Sequence, residues 1–295
     1  IVDTDCHHGD GTQDVYWNDP NTLFISFHQD GRTLYPGTGF LDEFGGPGAI
    51  GYNINVPLPP GTGEEGFLYV LDNLVLPILD EYKPELVVNS AGQDNHYTDP
   101  LTNMNFTARG YAELNHRLNP HIAVLEGGYS IEGALPYVNL GIILAMAGLD
   151  YSNVKEPDFD EKKLRQSPQI TEYIKRLCED IYERWKHKEQ IARELLKGKD
   201  YIVRQRHVYY DTDGIMEYQT QKFKVCKKCS GVNFIESNSD IGMPIFAVTI
   251  PPDACPSCVD EGYRAYKNAD IQKYYKIYLQ DRPGDNFMAR SINAP

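Results

Sequence analysis

Ile1-Val2-Asp3-Thr4-Asp5-Cys6-His7-His8-Gly9-Asp10-Gly11 opens the chain, and the reading of this stretch decides the fold. Its first residues are strand-like, and Gly9 and Gly11 break the strand at once. Alternate side chains of a strand share a face, so Asp3, Asp5 and His7 are expected to point one way and Thr4 and Cys6 the other. Asp5 and His7 could then meet one ion at the C-terminal edge of the strand, where open α/β sheets place their sites.

The next residues keep the same rhythm. β-rich runs at 22–27, 85–90 and 121–125 alternate with helix-length segments at 66–82, 107–119 and 131–148. That order predicts a parallel sheet flanked by helices. Gly and Pro crowd the segment from Gly31 to Gly63, which reads as a long irregular loop region of the kind that usually carries function. Ser167-Pro168 starts a helix, as N-cap and first helical residue. Ile170, Tyr173, Ile174, Leu177, Ile181 and Trp185 give that helix one apolar stripe. Two strands around Asp211-Thr212-Asp213-Gly214 read as a hairpin, and a Tyr-rich helix is expected through about Leu279.

The 295 residues carry a net charge of −14 and an apolar share of 41%, which suits a globular chain with a real core. No stretch approaches the roughly 18 apolar residues of a membrane helix. The charge is uneven: −17 over residues 1–159, +5 over 160–229 and −2 over 230–295. An acidic first part suits cationic partners such as polyamines or lysine-rich peptides, and argues against a nucleic-acid backbone; ordinary solubility charge explains it equally well. The chain begins with Ile rather than Met, which reads as an N-terminally incomplete sequence.

Two further expected strands also end in polar residues, at Ser90-Ala91-Gly92-Gln93-Asp94 and at Glu126-Gly127-Gly128-Tyr129. Three strand ends could thus offer Asp5, His7, Asp94 and Tyr129 to one cleft. Each residue alone says little, because a strand-end Asp is most often a turn or cap residue. Asp3-Thr4-Asp5-Cys6-His7-His8-Gly9-Asp10-Gly11-Thr12-Gln13, however, resembles the zinc-strand signature of the histone deacetylase and acetylpolyamine amidohydrolase superfamily. Tyr35-Pro36-Gly37-Thr38-Gly39, Asn55-Val56-Pro57-Leu58, Ser90 to Asp94 with Asp99-Pro100-Leu101, and Glu126 to Tyr129 follow in the family's order. The resemblance covers roughly residues 1–150.

It implies an arginase/deacetylase-like fold and a set of roles. Asp5, His7 and Asp94 match the ligands of a catalytic zinc, with a position left for water and the substrate carbonyl. Tyr129 matches the residue that donates to the carbonyl oxygen. Asp3, Asp5, His7, Ser26 and Phe27 match positions that hold a monovalent cation, usually potassium. Gly128 and Gln93 match positions beside the substrate, although Gln93 replaces a residue that is often apolar or small in the family. It could add a polar contact there or simply face away. The family's tandem His pair, which carries the proton, is absent from this chain; His7-His8 is not that pair. His28 and His96 are expected to support the cleft through hydrogen bonds.

Cys226-Lys227-Lys228-Cys229 and Cys255-Pro256-Ser257-Cys258 form two Cys-x-x-Cys knuckles. Four thiolates can close one tetrahedral zinc, a structural rather than chemical site; an iron site or one redox-active pair are the alternatives. Nothing in the family resemblance predicts this module. Metal-ligand cysteines in place of a disulfide framework imply a reducing compartment, and a cytoplasmic location is expected.

Residues 1–155 are therefore expected to be the C-terminal part of a deacetylase-like catalytic domain, and 156–200 a helical connector. Residues 201–295 are expected to be a four-cysteine, zinc-ribbon-like β module with a C-terminal helix. The expected activity is zinc-dependent hydrolysis of N-acetyl amides of lysine side chains or polyamines. The alternative is a catalytically silent metal-binding scaffold whose zinc ribbon binds a partner or self-associates. A two-manganese, arginase-like hydrolase would need more Asp and His ligands than these.

Overall fold

The computed structural model describes residues 1–157, 159–161 and 164–291. It divides into two compact units. Ile1–Tyr16, Thr22–Phe44 and Gly51–Lys188 make the first; Trp17–Asn21, Gly45–Ile50 and Glu189–Pro295 make the second.

The first unit is built on a parallel sheet of β1 (Val2–Asp3), β2 (Phe24–Gln29), β3 (Asn53–Leu58), β4 (Val88–Ala91) and β5 (Ile122–Leu125), in the order β3-β2-β1-β4-β5. β1 is central, with Val2 opposite Ile25 on one side and Asn89 on the other. Every residue of β2 and β3 is buried, as near-continuous apolar strands covered on both faces must be. β3 lies inside the stretch read as an irregular loop; its Asn, Pro and short length hide a strand that only pairing with β2 reveals.

Helices fill the crossovers. α1 (Asp10–Tyr16) follows the opening motif, and α2 (Glu64–Val70) runs through a π-helical turn at Leu71–Val75 into α3 (Leu76–Tyr82). α4 (Ala108–Leu118) starts at Thr107, whose hydroxyl accepts from Gly110 N. α5 (Leu135–Met146) packs on α4 yet leaves Leu140, Ile143 and Met146 exposed, and β5 likewise exposes Ile122, Val124 and Leu125. α6 (Pro168–Lys186) is capped by Ser167 and buries Ile174, Leu177, Ile181 and Trp185 against α2 and β3. None of the helices among the described residues is long and apolar enough to cross a membrane.

The second unit begins with α7 (Lys188–Leu196), whose first residue belongs to the first unit. Its sheet joins β6 (Tyr201–Tyr210), β7 (Ile215–Lys224), β8 (Asn233–Ser239), β9 (Ile245–Ile250), β10 (Lys276–Asp281) and β11 (Asn286–Ser291) in the order β11-β10-β9-β8-β7-β6. β9 and β10 are parallel and the other pairs antiparallel. α8 (Pro256–Asn268) makes the crossover between the parallel pair, as such a pair requires. Val232, Val248, Ile250, Tyr266, Ile277 and Leu279 form its core. The Tyr-rich helix expected through Leu279 is corrected here: α8 ends at Asn268, and Tyr278 lies in β10. Ile277 and Leu279 are buried on alternate positions, the period of a strand and not of a helix.

Candidate metal centre

Asp5 and His7 lie beyond β1, not on it, so the expected strand alternation is not what aims them. The chain curls instead. Asp3 Oδ1 accepts from Asp5 N at 3.1 Å, and Asp5 Oδ1 accepts from His7 N at 2.8 Å. These two Asx-type turns swing the Asp5 and His7 side chains together just past the sheet edge. Asp94 comes from the turn after β4 and is fully buried, its Oδ1 accepting from Cys6 N at 2.8 Å.

The three side chains converge. His7 Nδ1 stands 2.7 Å from Asp94 Oδ2 and 3.2 Å from Asp5 Oδ1, and one donor atom from each residue lies within 4.8 Å of the others. Gly127 roofs the group: its N–H donates to Asp5 Oδ2 at 2.8 Å. A Cβ there would sit 2.5 Å from Asp94 Oδ2 and 2.7 Å from Asp5 Oδ2. Only glycine leaves that space open. Gly92 does the same beneath, where a Cβ would meet Asp5 at 2.2 Å.

The electrostatics ask for a cation. Burial opposes charge on His7, but its hydrogen bonds to Asp5 and Asp94 outweigh this and raise the imidazolium to about 10. Burial pushes Asp94 up to about 6. Burial also opposes charge on Asp5, but there the hydrogen bonds from His7 win and hold the carboxyl low. A divalent ion bound there would displace the imidazolium proton, since ligating imidazole must be neutral. Two carboxylates and one imidazole suit zinc with an open position.

Tyr129 reaches the same place from the turn after β5. Its ring meets His7 edge-on with centroids 6.1 Å apart, and its N–H donates to Asp99 Oδ2 at 2.8 Å. Asp99 is a residue that sequence reasoning quotes without a role; the Asp-Pro turn is its signal. Gln93 is buried beside the ligand, with Nε2 donating to Asn139 Oδ1 of α5 at 2.6 Å. Gly128 leaves room for it, because a Cβ there would lie 3.0 Å from Gln93 Cβ. Asp3 and Ser26 are register partners on β1 and β2, and Phe27 follows in β2. His28 is buried between Ser26 Oγ at 2.8 Å and the Gly39 carbonyl at 3.1 Å, and desolvation holds it near 3.

The second unit gathers Cys226, Cys229, Cys255 and Cys258 into one group. Cys226 and Cys229 follow β7; Cys255 and Cys258 sit at the start of α8. Cys226 Sγ lies 3.8 Å from Cys255 Sγ, and Cys229 Sγ lies 3.5 Å from Cys258 Sγ. Four sulfurs on one zinc at about 2.3 Å would stand about 3.8 Å apart, so the group fits the ion. Ser230 ties the two knuckles, its N and Oγ each 2.8 Å from Asp253 Oδ2.

Known proteins agree with the first unit. Residues 1–139 match the histone deacetylase domain family. The chain is 54% identical over 167 residues to a probable deacetylase of Archaeoglobus fulgidus, covering 54% of this chain and 46% of that protein. It is 35% identical over 176 residues to the acetoin utilization protein AcuC of Bacillus subtilis, covering 57% of this chain and 46% of that one. The chain thus spans about half the length of the curated relatives it matches. Among solved structures, the HDA15 HD domain superposes with a TM-score of 0.54 at 29% identity, covering 68% of this chain and 54% of its own. The histone deacetylase Clr3 shares the fold, with a TM-score of 0.54 at 24% identity over 74% of this chain and 40% of its own. By fold, by motif and by sequence, residues 1–139 resemble the histone deacetylase domain family.

Proposed function

We propose that Asp5, His7 and Asp94 hold a catalytic zinc and that the site hydrolyses N-acetyl amides of lysine side chains or polyamines. The observation that carries this reading is the convergence of three donor atoms within 4.8 Å beneath a glycine roof. When bound, the ion supplies an acidified water and polarises the scissile carbonyl.

The chain's own residues do the rest. Gly127 N and Cys6 N hold one oxygen of each carboxylate, so the ligands are oriented before metal arrives. Tyr129 donates its phenol proton in a hydrogen bond to the oxygen that becomes negative as the carbonyl is attacked. Amide hydrolysis also needs a group that takes a proton from water and returns it to the amine. His8 does not serve, because Nδ1 meets Thr38 Oγ1 at 2.7 Å and Nε2 meets Gln13 Oε1 at 3.2 Å. His7-His8 is the chain's one tandem pair, so these 295 residues are expected to bind metal well and to hydrolyse slowly. The alternative reading is a metal-binding scaffold that works through partners, and the presence of Tyr129 beside the three ligands argues against it.

Two more sites complete the proposal. A potassium ion beside Asp3, Asp5, His7, Ser26 and Phe27 relieves the burial and neighbouring carboxylates that push the Asp3 carboxyl well up. The four cysteines hold a structural zinc, and their module serves folding, partner docking or self-association. The unpaired thiols suit the cytoplasm.

Metal analysis tests the core of this. Purified protein should hold about two zinc ions, with Asp94→Asn removing one and paired Cys226→Ser and Cys255→Ser removing the other. A single zinc lost on cysteine substitution refutes the first site. Tyr129→Phe should keep both ions while lowering turnover of an acetyl-lysine peptide by about 10²–10³-fold. Zinc binding with no turnover under any condition favours the scaffold.

A further inference from the structure

Glu156 and His96 form a buried carboxylate–imidazole contact in the first unit that the proposed chemistry does not use. Their side chains are 1% and 0% exposed, and Glu156 Oε1 stands 3.3 Å from His96 Nε2, an electrostatic contact rather than a well-aligned hydrogen bond. A buried charge persists only where something compensates it, so this pair needs an explanation. Burial alone would raise the Glu156 carboxyl, but the His96 ring and the backbone N–H groups of Glu156 and Ala108 outweigh it and hold the group below its usual value.

The other side of the ring leads to the surface. His96 Nδ1 accepts from Thr98 N at 3.2 Å and lies 2.9 Å from Thr98 Oγ1. Because Nδ1 accepts, the ring proton sits on Nε2, toward Glu156. Thr98 Oγ1 in turn shares a hydrogen bond with Ser130 Oγ, 2.7 Å away. A chain of contacts thus runs from Ser130 through Thr98 to His96, whose far side faces Glu156. Gly133 is built around the junction, for a Cβ there would lie 2.8 Å from Ser130 Oγ and 3.1 Å from Thr98 Oγ1.

Ser130 follows Tyr129 directly. The residue after Thr98 is Asp99, which accepts from Tyr129 N at 2.8 Å. Two adjacent residues of the turn after β4 therefore grip two adjacent residues of the turn after β5. We propose that Glu156, His96 and Thr98 are positioning residues, a buried anchor that clamps Ser130 and thereby holds the Tyr129 phenol over the metal centre. The proposal rests on the reading of Tyr129 given above; the clamp itself is independent of any reaction. The Thr98–Ser130 and Asp99–Tyr129 hydrogen bonds tie the two turns at adjacent positions, which resists rearrangement of either.

Thr98→Val is the first test, since the position is exposed and the change is isosteric, deleting only the hydroxyl. Hydrogen exchange of the zinc-free protein should show amides 129–135 opening about tenfold faster than wild type, with β2 and β3 unchanged. Thr98→Ser should restore wild-type exchange. In protein carrying 3-fluorotyrosine at 129, zinc should move the fluorine resonance, and Thr98→Val should reduce that movement at unchanged zinc affinity. Glu156→Gln should reproduce Thr98→Val. Wild-type exchange and an undiminished fluorine shift in Thr98→Val overturn the clamp; normal behaviour of Glu156→Gln alone removes the buried anchor from it. The expected exchange effect with no zinc response in wild type leaves the clamp standing and instead sinks the role of Tyr129.

Discussion

Gly127 shows how much one missing carbon can decide. The ligands come from separate turns, and each carries its own backbone support. What keeps them accessible is the absence of a side chain above two carboxylate oxygens. Gly127→Ala places a methyl group within 2.5 Å of Asp94 Oδ2, closer than any real Cβ contact, so carboxylate or loop must move. Zinc affinity of the first site is expected to fall by about 10–100-fold, as when ligand supports are lost, with the cysteine site unaffected. A competition titration with a chromophoric chelator reads this; an unchanged affinity would show that the roof has room to lift. A motif search marks Gly127 as part of a turn, but its reason lies in atoms contributed by residues far away in the chain.

At the level of helices and strands, local chemistry and tertiary pairing divide the work. α6 starts where Ser167-Pro168 says it should, because its cap is made within one turn: Ser167 Oγ accepts from Ile170 N at 3.3 Å. α4 starts at Thr107, whose Oγ1 accepts from Gly110 N at 2.9 Å and also donates to Glu64 Oε2 at 2.7 Å. Thr107→Ala removes both bonds and should destabilise the first unit by about 1–2 kcal/mol, more than a simple cap loss. Ser167→Ala, losing one longer bond, should cost about 0.5–1 kcal/mol. Urea midpoints of the two variants check the order, and a smaller loss for Thr107→Ala would deny the Glu64 bond any weight. β3 and β10 are the opposite case. Neither announces itself locally, and each exists because a neighbouring strand pairs with it in register.

The whole molecule is two units with two different relations to metal. In the second, four thiols meet at the seam between the β7–β8 connection and α8, beside a modest apolar core. Filled by an ion, as proposed, that seam would close the fold. Chelating the proposed zinc ions should therefore lower the melting of the second unit markedly and that of the first by less, because the first has an extensive sheet core apart from its ligands. Calorimetry with and without a strong chelator distinguishes this from an equal shift of both. The first unit also leaves apolar residues of β5 and α5 exposed.

Much of this is legible in the chain alone. The alternation of strand and helix, the Ser167 cap, the β6–β7 hairpin and the cysteine knuckles rest on neighbours in sequence, where propensity and spacing act directly. The motif residues Asp5, His7, Asp94 and Tyr129 stand out only through the family resemblance of the stretches that carry them. Their aim does not: Asx turns rather than strand pleat bring Asp5 to His7, and the grip of Asp99, Thr98 and Asn139 on the site emerges only when distant turns meet. Short-range order follows from the chain's own covalent geometry, whereas a site is a coincidence of surfaces, and packing alone makes surfaces coincide.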